Sequence, residues 1–208
     1  MKRAAAILAG GESSRLPNKP LVLLARKPMI LYTIDRCKKM ADELLVVANS
    51  EEQSDAIRTA IGEVKNLRIV IDRKEGFFSP LLGARTAFEN SKSELTLLLP
   101  CDAPLVRESV LELLFTVIDD RDAVIPRHPN GQIEPLHAVY RTRVSLKAVS
   151  DALSSGKRSM RDLIMKLSIV YMSTKVVRQL DPDLDSFANV NTQDELKSVE
   201  QKLTRSVL

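Results

Sequence analysis

The chain has no tryptophan, and aromatic residues make up only 4% of its 208 residues. A platform for single-stranded nucleic acid stacks successive bases on exposed rings, so this composition speaks against that class, and no nucleic-acid partner is expected. Two cysteines, Cys37 and Cys101, are too few for a disulfide framework. No apolar run reaches the ~18 residues of a membrane span. No block of about five like charges suggests a basic arm or an acidic tail. The opening Met1-Lys2-Arg3 and the apolar residues after it look like the start of a signal peptide. That run breaks at Gly10-Gly11 and charge follows at once, so no adequate hydrophobic region forms. The expectation is a cytoplasmic protein that contacts no membrane.

What is present fits an ordinary globular chain, with 44% hydrophobic and 28% charged residues. The length suits one domain, 1–208, large enough to bury a core without disulfide or metal staples. The net charge of +4 and the sequence pI of about 9.1 suit either a site for anions or a surface that is merely basic. Segments 4–8, 43–48, 67–71 and 95–99 are nearly continuous in apolar character and predict strands buried on both faces. Between them 30–40, 52–61 and 81–89 carry helical spacing, an alternation that predicts a parallel sheet covered by helices. After Asp102 the rhythm changes. The pattern predicts a helix over 108–118, a strand over 123–126, a turn at His128-Pro129-Asn130-Gly131 and an antiparallel strand over 134–140. Helices over 143–153 and 159–165, a strand over 168–172 and a last helix over 192–203 complete the chain.

Three motifs carry chemistry. Leu8-Ala9-Gly10-Gly11-Glu12-Ser13-Ser14-Arg15 follows the first strand, at the carboxyl edge where open α/β sheets bind ligands. Paired glycines let backbone N–H groups approach a phosphate, and Arg15 and Lys19 offer a forked and a point-like cation. The competing explanation is a tight turn with two solvated cations. Neither a dinucleotide fingerprint nor a P-loop fits, and Ser155-Gly156-Lys157-Arg158-Ser159 lacks the strand a P-loop requires. Next, Leu97-Leu98-Leu99-Pro100-Cys101-Asp102-Ala103-Pro104 runs an apolar strand into an acid between two prolines. Asp102 there can hold Mg²⁺, which leans on few protein ligands, or can cap the following turn. In Phe187-Ala188-Asn189-Val190-Asn191-Thr192-Gln193-Asp194-Glu195-Leu196, Thr192 and Glu195 form a capping box, while Asn189 and Asn191 alternate on an extended lead-in. Cys101 has no base to activate it, and His128 and His137 lack ligand spacing with either cysteine.

In this order and at these distances the motifs resemble those of the molybdenum cofactor guanylyltransferases, the MobA family, within the glycosyltransferase-A-like nucleotidyltransferases. The matching stretches are Leu8 to Arg15 with Lys19, Ser79-Pro80-Leu81-Leu82-Gly83, Pro100 to Pro104, Glu134-Pro135-Leu136-His137-Ala138-Val139-Tyr140, and Phe187 to Leu196. The family's Met-Gly-Gly after the arginine is replaced here by Leu16-Pro17-Asn18. The resemblance implies an α/β fold: a three-layer α/β/α sandwich on a mainly parallel, Rossmann-like sheet, of the nucleotide-diphospho-sugar transferase type. It implies GTP and molybdopterin, with or without molybdenum, as substrates and Mg²⁺ as cofactor. Leu8, Ala9, Gly10, Gly11 and Lys19 would bind the nucleotide, with Arg15, Lys19 and Asp102 catalytic. Asp72 would read guanine, with Asn49 a weaker candidate for the same base pocket. Asp102 with Asn191 would hold the metal, and Arg158, Pro80, Asn189 and Asn191 would meet the acceptor. Asp72 as a strand-end turn residue and Arg158 as a solvated helix-start arginine remain alternatives. The resemblance leaves room for transient contact with molybdoenzymes or their chaperones, and for a monomer or weak oligomer. Related enzymes transfer CMP to the same cofactor, GMP to a cobinamide phosphate, or nucleotidyl groups to sugar, polyol or lactyl phosphates. A nucleotide-binding protein without turnover is the reading from another class, against which Lys19 and Asp102 stand.

Overall fold

Runs almost without polar residues occupy the middle of the sheet, where both faces are covered. The computed structural model describes residues 1–11, 15–72, 77 and 79–205. Its strands are β1 (Arg3–Leu8), β2 (Leu23–Leu24), β3 (Lys27–Pro28), β4 (Glu43–Ala48), β5 (Leu67–Ile71), β6 (Leu95–Pro100), β7 (Ala123–Arg127), β8 (Ala138–Arg141) and β9 (Ile169–Ser173). Its helices are α1 (Met29–Cys37), α2 (Glu51–Ile61), α3 (Pro80–Asn90), α4 (Glu108–Val117), α5 (Thr142–Ser154), α6 (Met160–Ile164), α7 (Thr174–Val177) and α8 (Gln193–Arg205).

Among the described residues the main sheet has seven strands in the order β5-β4-β1-β6-β8-β7-β9. β5, β4, β1 and β6 run parallel, β8 is antiparallel to both neighbours, and β7 and β9 are parallel. From β1 the chain steps outward through α1 and α2 to β5. It then returns across the sheet by α3 and enters β6 on the other side of β1. Strand order therefore reverses at the β1–β6 pair, and the loops leaving those two strands open a crevice there.

Side-chain alternation divides the core between the two faces. Ile7, Val46 and Leu97 pack with Ile34, Ile57 and Leu111 on the α1–α2–α4 side. Ala6, Leu45 and Leu98 pack with Ala84, Phe88 and Val149 on the α3–α5–α6 side. A smaller cluster joins Leu16, Leu24 and Met29 to Val190 and Leu196, docking α8 on the β2–β3 hairpin. The sheet between two helical layers is the predicted mixed α/β architecture. No helix of the described residues is long and apolar enough to cross a membrane.

Three local expectations are corrected. β5 is an edge strand and only half buried, so its apolar run is covered less than that of β1 or β4. α1 stops at Cys37, and residues 38–40 form a turn in which the Met40 N–H bonds the Cys37 carbonyl. The strand expected over 134–140 shrinks to β8, because Glu134 to His137 make a turn closed by His137 N donating to Glu134 O at 3.1 Å. Pro135, which has no N–H for a ladder, sits within that turn and accepts from Tyr140 Oη at 2.7 Å.

Candidate active site

The glycine turn leaves β1 pinned on both sides. Ala9 N donates to Val47 O at 2.9 Å, and Cys101 N donates to Leu8 O at 3.1 Å. A Cβ on Gly10 would lie 3.4 Å from both Asn49 N and Asn49 Cβ, so the absent side chain lets this turn close on the one after β4. A Cβ on Gly11 would meet nothing within 4 Å among the described residues. Gln53 bridges the two turns: its Oε1 accepts from Asn49 N at 2.8 Å and its Nε2 donates to Ala9 O at 3.2 Å. Sequence reasoning missed Gln53. Its one signal is a position three residues after Ser50, whose side chain caps α2 by accepting from Gln53 N. In a capping box a glutamine there bonds the cap residue's own N–H; here it bonds one residue earlier.

Lys19 begins a 3₁₀ turn entered through Asn18, whose φ of 51° lies in the left-handed region that asparagine tolerates. Lys19 Nζ donates to Asp102 Oδ2 and to Asn191 Oδ1, each at 2.7 Å. Asp102 follows β6 and is 8% exposed, and Oδ1 of its carboxylate is buried with no hydrogen-bond partner among the described residues. Val190 N donates to Asp102 O at 2.9 Å, which brings Asn191 in from the far end of the chain. Asn191 N and Thr192 N both donate to Glu195 Oε2, at 2.6 and 2.9 Å, completing the expected capping box at the start of α8. The Asn191 N–H holds the Glu195 carboxyl below its ordinary range, and Thr192 and the charge of Arg15 add to this.

The glycine turn, Lys19 and Asp102 face a cavity of about 400 Å³ walled by Leu8, Ala9, Gly10, Gly11, Lys19, Asp72, Ser79, Pro80, Pro100, Cys101, Asp102 and Leu136. A wider depression of about 790 Å³ between α2 and β5 includes no residue from the carboxyl ends of β1 and β6. Asp72 leaves β5 with its N–H on Ala48 O, and its Oδ1 accepts from the buried Thr86 Oγ1 at 2.6 Å. Ser79 caps α3 by accepting from Leu81 N, and its hydroxyl also donates to Arg158 O at the cavity rim. The Arg158 guanidinium lies 4.2 Å from the Phe77 ring centroid.

Lys19, Asp102 and Asn191 thus meet at one point, and Asp72 and Pro80 share their cavity. Asn49 stands behind Gly10 rather than on the wall, and Arg158 reaches the rim through Ser79. Arg15 is exposed and off the wall, and Asn189 is exposed while Asn191 points inward. Glu12, Ser13 and Ser14 of the glycine loop lie outside the described residues. Burial, then the charge of Asp102, pushes the Cys101 thiol far up, so it stays protonated and is no nucleophile.

Among the described residues no three His, Cys, Asp or Glu side chains gather as a metal cage. The donors suit a less demanding ion. Asp102 Oδ2 and Asn191 Oδ1 already converge on one ammonium at 2.7 Å each, and Asp102 Oδ1 has capacity to spare. Two hard oxygens complemented by water and phosphate are what Mg²⁺ accepts.

Residues 5–170 match the family described as MobA-like NTP transferase domain. A molybdenum cofactor guanylyltransferase from Desulfosudis oleivorans is 31% identical over 197 residues, 93% of this chain and 92% of that protein. A protein of Methanothermobacter thermautotrophicus named "probable molybdenum cofactor guanylyltransferase" is 34% identical over 197 residues, 92% of this chain and 96% of that protein. Among solved structures, molybdopterin-guanine dinucleotide biosynthesis protein A from Archaeoglobus fulgidus aligns with a TM-score of 0.82 at 25% identity, covering 97% of this chain and 99% of that one.

Proposed function

The chain belongs to the MobA-like NTP transferase family, and on that footing we propose that it transfers GMP from GTP to the terminal phosphate of molybdopterin, with or without molybdenum. The products are the guanine dinucleotide cofactor and pyrophosphate, and one domain, 1–208, carries the whole reaction. The observation that supports this most is the buried junction of Lys19 Nζ with Asp102 Oδ2 and Asn191 Oδ1 beside the glycine turn.

The triphosphate lies along the turn at Gly10 and Gly11, whose backbone N–H groups and the Lys19 ammonium take its negative charge. The guanine enters the end of the cavity at Asp72, whose carboxylate accepts from N1–H and N2–H₂ together. Thr86, bonded to Oδ1, fixes the orientation of that carboxylate. Arg15 flanks the phosphates from the exposed side. The acceptor approaches over Pro80 with Arg158 and Asn189 near its phosphate. An oxygen of that phosphate attacks the α-phosphorus in line, a bond to the α-phosphorus forms, and the bond to the bridging oxygen breaks to release pyrophosphate. The nucleophile is already ionised at neutral pH, so no residue need act as general base. Positioning and electrostatic stabilisation are the protein's contribution. Asp102 and Asn191 are the residues that would hold Mg²⁺, which when bound neutralises charge on the α- and β-phosphates.

The test is pyrophosphate release measured with each of the four ribonucleoside triphosphates against molybdopterin, cobinamide phosphate and a set of sugar, polyol and lactyl phosphates. Release confined to GTP with molybdopterin is expected. A preference for CTP, or for another phosphorylated acceptor, replaces the guanylyl assignment within the same chemistry. Absence of release with every pair overturns the enzymatic reading.

A further inference from the structure

Asp181 is 0% exposed and takes no part in the chemistry above. A carboxylate so deeply buried is costly unless partnered. Its Oδ2 accepts from Ser186 N at 2.7 Å. Arg107 Nε stands 3.1 Å from Oδ1 without forming a hydrogen bond, so charge alone holds that oxygen. Arg107 grips the same segment twice more: its backbone N donates to Ser186 Oγ at 3.1 Å and its Nη1 to Leu180 O at 3.3 Å.

Arg107 closes the stretch that begins at Asp102, and Asp181 opens the stretch that ends at Asn191. At the other end of both, Val190 N donates to Asp102 O at 2.9 Å. The two segments that supply the site's oxygens are therefore clasped at each end. Between the clasps the chain passes Leu184 at a φ of 58°, a left-handed conformation that leucine adopts only under constraint, and then the 3₁₀ turn Asp185–Phe187. The bond from Ser186 N to Asp181 closes over that strained residue. Phe187 then sits edge-on to the rings of His128 and His137, with centroids 5.7 and 5.5 Å away.

We infer that Asp181, paired with Arg107, is a positioning residue for nucleotidyl transfer: it fixes the path of the 181–191 segment so that Asn191 Oδ1 meets Lys19 and Asp102. The inference rests on the reading of Lys19, Asp102 and Asn191 as the reacting end of the site. Neither Asp181 nor Arg107 lines the cavity.

The experiment compares Asp181→Ala, Asp181→Asn, Asn191→Ala and the double variant Asp181→Ala/Asn191→Ala in the full chain. It measures kcat and the KM for GTP by pyrophosphate release, and amide exchange at Val190 in protein without nucleotide or metal. Asp181→Ala should lower kcat about tenfold, the scale typical of residues that orient others, leave the KM for GTP unchanged, and release Val190 N–H to exchange. Asp181→Asn keeps an acceptor for Ser186 N and should recover most of the rate. The double variant should turn over no more slowly than Asn191→Ala, because both changes act through one group. Should Asp181→Ala not fold, Arg107→Gln carries the test with the same expected losses of kcat and of Val190 protection, the Arg107 side chain being 45% exposed. Additive losses in the double variant, or wild-type kcat together with intact Val190 protection in Asp181→Ala (or in Arg107→Gln where that variant stands in for it), overturn the inference. A wild-type rate in Asn191→Ala overturns the reading of the site itself and removes the inference with it.

Discussion

Replacing Asp102 with asparagine should separate catalysis from stability. The Lys19–Asp102 pair meets at 2.7 Å with side-chain exposures of 15% and 11%. At an effective dielectric of about 20, the attraction at that distance amounts to roughly 6 kcal/mol. Withdrawing two ions from water costs several kcal/mol each, so the two contributions nearly cancel. Oδ1 is buried without a partner among the described residues, a group whose lost hydration costs about 1–3 kcal/mol in the native protein. Asparagine removes the anion's desolvation and still offers an oxygen to Lys19, which keeps its bond to Asn191 Oδ1. Asparagine also leaves the ammonium without its counter-charge, a loss of about 3–5 kcal/mol in a fully buried pair. With both side chains partly exposed, the expected net loss is about 1–3 kcal/mol, or about 2–12 °C in Tm for a chain of this size. The rate should fall more. By analogy with loss of one donor to developing charge, kcat should drop about 10²–10³-fold. Thermal unfolding without ligands and pyrophosphate release with GTP, both on Asp102→Asn, check the two halves. Pyrophosphate release at the wild-type rate would remove Asp102 from the reaction. A Tm lowered by more than about 12 °C, beyond the upper shift expected for about 3 kcal/mol, would make it a structural acid.

Gly11→Ala adds a methyl group where nothing among the described residues lies within 4 Å, so unfolding by urea should be unchanged while the KM for GTP rises, reporting contact with the nucleotide. An equal loss of stability and affinity would contradict that. Asp72→Asn should lower the ratio of kcat/KM for GTP over ATP by at least about tenfold, because an amide cannot accept from both guanine donors; an unchanged ratio moves base selection elsewhere. Burial pushes the His137 ring down to about 4 from its ordinary 6.5. Unfolded chain therefore binds the extra proton first, and stability present above about pH 6.5 is lost as pH falls toward 4, on the order of 3 kcal/mol in all. His137→Phe should flatten that part of the stability–pH curve measured by urea titration, and an unaltered curve would assign the acid sensitivity to other groups.

Much of this architecture is readable from residues because local and global preferences agree. The strands 43–48 and 67–71 fall where the apolar runs predict them, and the Thr192–Glu195 capping box forms as written. Asp102, Lys19 and Asn191 are legible as candidates from motif and position, although their convergence joins residues from opposite ends of the chain. The β2–β3 hairpin was invisible for a local reason: its turn is Ala25-Arg26, with φ of 46° and 65°, and neither residue signals a left-handed turn as Asn or Gly does. Tyr32 Oη donating to Leu24 O, and the packing of Leu24 against Val190, hold it instead. Gln53 and Asp181 were missed because their roles lie in bonds to distant segments. In Asp181-Pro182-Asp183-Leu184-Asp185 three acids look alike, and only burial against Arg107 distinguishes the first.

Lys19 gives the cleft a counterion of its own. Tethered between an acid and an amide oxygen, the ammonium satisfies both, so a bare divalent ion arriving alone would have to evict a cation that has nowhere better to go. On the proposed function, a triphosphate would offer the lysine a new berth and free the two oxygens in the same movement. Each ligand should therefore ease the other's entry, and linkage requires the help to be equal in both directions.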